Sequence, residues 1–164
     1  MAELTLSTVG SDPLERALVV TAHPDDVDFG SAGTVSALTE AGVHVTYCIV
    51  TNGDAGGSDR SVSRSDMAAL RQAEQTAAAK EVGVDDIHFL GFADGRVEAN
   101  LALRAAISRV IRIVQPQLVI TQSPVRNLDR IYASHPDHLA AGEAALCAVY
   151  PDARNPFAFP ELLA

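Results

Sequence analysis

Two short segments of the chain carry histidine, proline and aspartate in the same order. Residues 22–26 read Ala-His-Pro-Asp-Asp, residues 134–138 read Ser-His-Pro-Asp-His, and together they hold three of the five histidines. Imidazole and carboxylate groups are the ligands of catalytic zinc, which takes three of them and keeps a position for water. The two segments therefore predict a metal site, provided that the fold brings them together.

The spacing within the first segment suits one ion and one base. His23 and Asp26 are three residues apart in a turn that Pro24 stiffens, so both side chains can reach the same ion. Asp25 points elsewhere and can act as a general base. A single segment of this kind is more often a turn or a helix cap than a metal site, because Asp is a common N-cap residue. The presence of a second such segment favours a metal site over a turn or a helix cap.

The second segment can complete the ligand set. His138 opens a predicted helix and can join His23 and Asp26 as the third ligand. His135 can lie outside the ligand set or act as a cation that stabilises developing negative charge, and Asp137 can orient it by a hydrogen bond.

Short apolar runs alternate with amphipathic stretches along the chain. The pattern predicts strands over 16–22, 44–50, 86–90 and 118–122, and helices over 28–41, 65–82, 100–114 and 138–149. This alternation is typical of parallel sheets with right-handed crossovers. We therefore expect a Rossmann-like three-layer α/β/α sandwich with a mainly parallel sheet, as a single domain over 1–164. Ligands bind such sheets at the carboxyl ends of the strands, where both segments fall.

Composition excludes several classes of protein. A net charge of −9 and a pI near 4.8 leave no basic surface for a nucleic-acid backbone, so we expect no nucleic-acid partner. No apolar run approaches the roughly 18 residues of a membrane span. The first 20 residues lack the pattern of a signal peptide, and the two distant cysteines are typical of a reducing compartment, so we expect a cytoplasmic protein.

Five features occur in an order that matches a known family. They are the segment 22–26, Gly-Ser-Ala-Gly-Thr at 30–34, Thr-Asn-Gly-Asp-Ala-Gly at 51–56, Arg71 with Glu74, and the segment 134–138. Together they closely resemble the LmbE-like (PIG-L type) zinc-dependent N-deacetylases, from about residue 16 to the end. Members of that family remove an acetyl group from an N-acetylglucosamine-type sugar or a related amide.

The resemblance implies a role for each residue of the two segments. It implies zinc on His23, Asp26 and His138, Asp25 as the general base, and His135 as the group that stabilises the oxyanion or protonates the leaving amine. The expected substrate is a small N-acetylated amino sugar or a conjugate of one. Iron or manganese also suits two imidazoles and a carboxylate, so the metal stays open.

Other polar residues have two interpretations. The resemblance makes Arg71 and Asp94 contacts to sugar hydroxyls, whereas the residues alone suggest an ion pair of Arg71 with Glu74 and a turn at Asp94. Four residues before the second segment either line the pocket or belong to a solvated loop, and the sequence favours neither role: Arg126, Asp129, Arg130 and Tyr132.

The chain departs from the family at two places. Members commonly carry Glu directly after the Asp pair or one residue later, where this chain has Val27 and Asp28. Members usually continue with at least one more strand beyond the last residue here, so either the chain is a fragment of a longer protein or its sheet is smaller. An incomplete sheet edge would favour a homo-oligomer.

Two other functions stay open. The first is a non-catalytic Rossmann-like domain that binds a sugar or nucleotide, which predicts no stoichiometric metal. The absence of a G-x-G-x-x-G pattern after the first strand counts against a dinucleotide. The second is a zinc-binding fragment with impaired turnover.

Overall fold

The structure is a computed structural model that describes residues 8–9 and 12–163. The strands are β1 (Thr8–Val9), β2 (Asp12–Pro13), β3 (Arg16–Thr21), β4 (His44–Thr51), β5 (Asp86–Phe92) and β6 (Leu118–Thr121). The α-helices are α1 (Asp26–Gly30), α2 (Ala32–Glu40), α3 (Arg64–Glu81), α4 (Leu101–Val114) and α5 (Pro136–Val149). Short 3-10 turns lie at Ile131–Ser134, Asp152–Arg154 and Pro160–Leu163.

The main sheet has four strands in the order β5-β4-β3-β6, and every neighbouring pair is parallel. These are the four predicted strands, and β5 continues two residues past the predicted end. The short strands β1 and β2 form a separate antiparallel pair that the sequence pattern did not predict.

Side chains of β3 alternate between two cores. Leu18 and Val20 pack with residues of α4 and α5 on one face, while Ala17 and Val19 pack with residues of α2 and α3 on the other. A strand covered on both faces needs apolar residues at successive positions, which explains the unbroken apolar run of β3. The predicted three-layer sandwich is confirmed.

The predicted helix over 28–41 is wrong in detail. It consists of two helices, α1 and α2, separated at Ser31, whose φ of −145° is not helical. Gly30 and Gly33 flank the break, and glycine is a poor helix former, so this stretch resists a single continuous helix. Because α1 begins at Asp26, it starts inside the first His-Pro-Asp segment.

Residues after α5 fold back onto α4. The Arg104 guanidinium donates two hydrogen bonds of 2.8 Å to the buried carboxylate of Asp152. The Arg112 guanidinium donates to backbone carbonyls of Asp152, Ala153, Asn155, Ala158 and Phe159. Across the described residues, no helix combines the length and apolar character that crossing a bilayer requires.

Candidate metal centre

The carboxyl ends of the central strands bring the two His-Pro-Asp segments together. His23 follows β3, and His138 lies in the first turn of α5. Gln122, directly after β6, accepts a hydrogen bond from the backbone N–H of Ala22 at 2.9 Å. This bond joins the end of β6 to the start of the first segment, 100 residues away in the chain.

Two ring nitrogens and the carboxylate of Asp26 form a nearly equilateral triangle, with one carboxylate oxygen near each nitrogen. His23 Nδ1 lies 3.2 Å from His138 Nε2, which lies 3.1 Å from Asp26 Oδ1, and Asp26 Oδ2 lies 3.4 Å from His23 Nδ1. Ligands at the usual zinc distances of about 2.0–2.1 Å stand about 3.3 Å apart on a tetrahedron. The three side chains thus fit one face of a tetrahedral divalent metal site.

The opposite side of the His23 ring faces two carboxylates. His23 Nε2 lies 3.2 Å from Asp94 Oδ1 and 3.2 Å from Asp137 Oδ2. Acceptors on that side place the ring proton on Nε2 and leave the lone pair of Nδ1 for a metal, the arrangement typical of metal-binding histidines.

The charges around His23 and Asp26 stabilise their ionised forms when no metal is bound. Burial lowers the pKa of His23, but Asp26, Asp94 and Asp137 outweigh it and raise that pKa to about 9. Burial likewise raises the pKa of Asp26, but His138 and His23 outweigh it and lower that pKa below its usual value. A positive charge is therefore favoured where the ligand atoms converge.

Asp137 contacts His23 with its carboxylate and His135 with its backbone. Its carboxylate contacts His23 and accepts the backbone N–H groups of Gly95 and Val97 at 2.7 and 3.2 Å. Its link to His135 is made by the backbone, because the Asp137 N–H donates to His135 Nδ1 at 3.2 Å. The predicted hydrogen bond between Asp137 and His135 is thus made by the Asp137 backbone, while the Asp137 carboxylate contacts His23.

His135 caps α5 and also lines the cavity beside the ligands. Its ring centroid is 5.0 Å from that of His23 and 5.3 Å from that of His138. The nitrogens of these three rings lie within 4.8 Å of one another, so His135 is near enough to reach a shared ion or the atoms around it. Because Nδ1 accepts the helix N–H, a neutral His135 has its proton on Nε2.

Asp25 stands beside the triangle in an unusual backbone conformation. Its φ of 92° lies in the left-handed region, which is unfavourable for a residue other than glycine. Two contacts hold it there: Gln75 Oε1 accepts its backbone N–H at 2.6 Å, and Arg71 Nη2 donates to its Oδ2 at 2.6 Å. The side chain stays 43% exposed, so a substrate or water can reach it.

The two predicted sugar contacts have protein partners. Arg71 bonds Asp25 and the carbonyl of Pro24, and its Nε lies 3.8 Å from Glu74. Asp94 faces His23 and accepts the backbone N–H of Ala55 at 3.2 Å. Both side chains line the cavity as well, so substrate contact stays a prediction for each.

The ligand triangle opens into a cavity of about 470 Å³, within the range of small-molecule sites. Glycines of the loop after β4 form part of its wall, as does an exposed tyrosine. The lining residues are His23, Asp25, Asp26, Gly53, Ala55, Gly56, Gly57, Arg71, Asp94, Tyr132, His135 and His138.

The sequence reasoning missed two supporting glutamines. Gln75 is 1% exposed, and its Nε2 also approaches Asp28 at 3.4 Å, so it links Asp25 to α1. It lies four residues after Arg71, on the same helix face, which is a signal that could have identified it. Gln122 follows β6 at the ligand-binding edge of the sheet, where the strand-end rule could have found it.

Fold and site together define an α/β sandwich with a cluster of His and Asp side chains that could hold a metal ion at the carboxyl edge of a parallel sheet. Residues 18–149 match the family described as PIG-L, GlcNAc-PI de-N-acetylase. The chain belongs to this family, as its motifs indicated.

Several proteins are similar to this chain. Diacetylchitobiose deacetylase of Thermococcus kodakarensis is 35% identical over 136 residues, covering 83% of this chain and 49% of that protein. Probable N-acetyl-alpha-D-glucosaminyl L-malate deacetylase 2 of Bacillus anthracis is 34% identical over 148 residues, covering 86% and 63%. The structure of N,N'-diacetylchitobiose deacetylase from Pyrococcus horikoshii superposes with a TM-score of 0.85 at 30% identity, covering 92% and 54%. The chain thus spans about half to two thirds of the length of these relatives.

Proposed function

We propose that the chain is a metal-dependent hydrolase that removes the acetyl group from an N-acetylglucosamine-type amino sugar or a conjugate of one. The observation that carries the proposal is the triangle of His23, Asp26 and His138 ligand atoms with Asp25 beside it. The similar deacetylases support it, because the substrates in their names are N-acetylglucosamine derivatives.

We propose zinc as the metal, since two imidazoles and one carboxylate with tetrahedral spacing suit it. His23, Asp26 and His138 would hold the divalent metal, which would lower the pKa of a water bound to it and polarise an acyl carbonyl. The buried Asp137 and the nearby Asp94 hold His23 in the tautomer that can ligate.

Asp25 acts as the general base. Arg71 occupies its Oδ2, so Oδ1 is the oxygen that takes the proton from the attacking water. His135, with Nε2–H available, donates to the carbonyl oxygen as negative charge develops there. Water adds to the acyl carbon as its proton passes to Asp25, and Asp25 then gives this proton to the amide nitrogen as the C–N bond breaks. The acetic acid that forms passes its own proton to the amine, so acetate and the protonated amine leave.

The test combines metal analysis with an acetate-release assay. Protein purified without added zinc is analysed for metal, and then assayed on N,N'-diacetylchitobiose and on N-acetyl-α-D-glucosaminyl L-malate. About one metal per chain with acetate release supports the proposal. If the purified protein contains no metal and releases no acetate after zinc is added, the result favours the non-catalytic Rossmann-like binding domain instead.

Stoichiometric metal without acetate release identifies the third possibility, a zinc-binding fragment with impaired turnover.

The expected cytoplasmic location and homo-oligomer stay predictions. Size-exclusion chromatography with light scattering tests the oligomer directly.

A further inference from the structure

The turn after β5, residues 93–96, positions both carboxylates that face His23 Nε2. Asp94 contacts that nitrogen directly, and the Gly95 N–H donates at 2.7 Å to the Asp137 oxygen that contacts the same atom. Gly95 has a φ of 80°, a backbone conformation that favours glycine. The position of this turn therefore decides where the two carboxylates meet the ring.

Asp54, in the loop after β4, holds the backbone of this turn. Its Oδ1 accepts the backbone N–H of Asp94 at 3.0 Å, and the next residue, Ala55, donates its N–H to the Asp94 carboxylate at 3.2 Å. Two successive residues of one loop thus fix both the main chain and the side chain of Asp94. Asp54 itself does not line the metal cavity, so its effect on the metal centre passes through its neighbours.

Arg64, at the start of α3, holds the other oxygen of Asp54. Its Nε donates to Asp54 Oδ2 at 2.7 Å, and its Nη2 lies 3.5 Å from the carbonyl oxygen of Asp94. The hydrogen bond from Arg64 lowers the pKa of Asp54 below its usual value, which favours the ionised carboxylate that accepts both donors. One guanidinium therefore connects α3, the loop after β4 and the turn after β5.

We infer that Asp54 and Arg64 are positioning residues for the metal centre, because they fix the turn whose carboxylate partners orient His23. The inference rests on the proposed metal-dependent function and extends the metal centre beyond the ligands and their direct partners. Loss of a direct partner of a metal ligand weakens metal binding by about 10–100-fold. Since Asp54 acts one contact further away, we expect effects near the lower end of that range.

Chelator competition gives the zinc Kd of each Asp54 variant. Asp54→Ala removes the hydrogen bonds to the turn and to Arg64, so it should raise the Kd by about tenfold. Asp54→Asn keeps an oxygen for the Asp94 N–H and should raise the Kd less. Asp59→Ala is the matched control, because Asp59 is an exposed residue of the same loop whose carboxylate accepts from Ser61. It should leave the Kd unchanged.

Variants of Arg64 test the second positioning residue. Arg64→Gln should raise the zinc Kd by about two- to fivefold, the effect of an exposed ion pair. Arg64→Lys, which keeps the charge, should restore part of the affinity. The double variant Asp54→Ala/Arg64→Gln should have nearly the Kd of Asp54→Ala, since Arg64 acts through Asp54. Additive effects of the two substitutions would overturn the role of Arg64.

Amide hydrogen exchange in the metal-free protein separates positioning from a general loss of stability. The Gly95 N–H donates to Asp137 and not to Asp54, so it reports the position of the turn. It should exchange faster in Asp54→Ala than in the wild type, while the amides of β4 should keep their rates. Faster exchange in both places would indicate a merely structural role and overturn the inference.

An unchanged zinc Kd in Asp54→Ala would also overturn the inference, even if the wild type binds zinc and releases acetate. Failure of the deacetylase proposal looks different: the wild type binds zinc and releases no acetate, while Asp54→Ala still raises the Kd. A wild-type chain that binds no zinc contradicts both proposals.

Discussion

The side-chain oxygen of Gln75 accepts the backbone N–H of Asp25 at 2.6 Å, linking the middle of α3 to the residue just before α1. Gln75 is buried, and Asp25 has a positive φ that costs conformational energy. The bond therefore compensates for an unfavourable backbone and directs the Asp25 carboxylate beside the ligand triangle. Gln75 is a positioning residue for the proposed base.

Replacing Gln75 by leucine should lower kcat by about tenfold to hundredfold, because small misplacements of a reacting group have effects of that size. The metal content should stay at the wild-type level, since Gln75 contacts none of the three proposed ligands. The measurements are kcat, KM and metal content. Gln72→Leu, the same change elsewhere on α3, should behave as wild type. Unchanged kcat in Gln75→Leu would remove the positioning role.

Asp94 has two possible roles that one substitution separates. If it holds His23, as the 3.2 Å contact indicates, Asp94→Asn should weaken metal binding by about tenfold to hundredfold. If it binds sugar hydroxyls, KM should rise while the metal Kd stays constant. Competition with a chelator gives the metal Kd, and initial rates give KM. Asp85→Asn, on an exposed position, controls for lost charge.

Substitution of a proposed metal ligand and substitution of the proposed base should have different effects on metal content and kcat. His138→Ala should lose the bound metal, because it removes one corner of the triangle. Asp25→Asn should keep the metal and lower kcat by about 10² or more, since it removes proton transfer. Elemental analysis and acetate release measure both. Full metal occupancy in His138→Ala would show that the ligand set is wrong, and normal turnover in Asp25→Asn would exclude it as base.

Gly142 in α5 lies against the chain that follows β6. A methyl group at this position would overlap the backbone carbonyl of Gln122. Gly142→Ala should therefore destabilise the protein by about 1–3 kcal/mol, and it should weaken metal binding by displacing Gln122 from Ala22.

Denaturant unfolding measures the first effect, and chelator competition measures the second. Gly33→Ala is the control, because that position in α2 has open space around it. It should be neutral or stabilising by up to about 1 kcal/mol, since alanine is the better helix former. Equal stability of the two variants would contradict the close packing of α5 on β6.

Parallel strand–helix alternation made the sheet and the neighbourhood of the ligands predictable from sequence. His23 and His138 follow strands whose carboxyl ends share an edge, so their convergence needed only the strand assignments. The break at Ser31 was not predictable from periodicity, because the apolar pattern continues across it. Local chain geometry there overrides the helical pattern.

The supporting contacts needed tertiary information. Gln75 reaches Asp25 only because the fold brings one residue of α3 next to the start of α1, and a buried glutamine on an amphipathic helix does not indicate which residue it will bond. Asp137 was expected to bond His135, two residues away in sequence, and its backbone N–H does so. Its carboxylate lies against His23, 114 residues away, since the helix start turns the side chain toward the end of β3.

Asp137 connects three separate parts of the chain: it belongs to the start of α5, and its carboxylate contacts the loop after β3 and the turn after β5. A change there alters all three parts at once. Substitutions at His23, Gly95 and Asp137 should therefore be strongly epistatic, with double variants far from the sum of their single effects. It follows that changes to this centre should be tolerated in coordinated pairs more readily than one residue at a time.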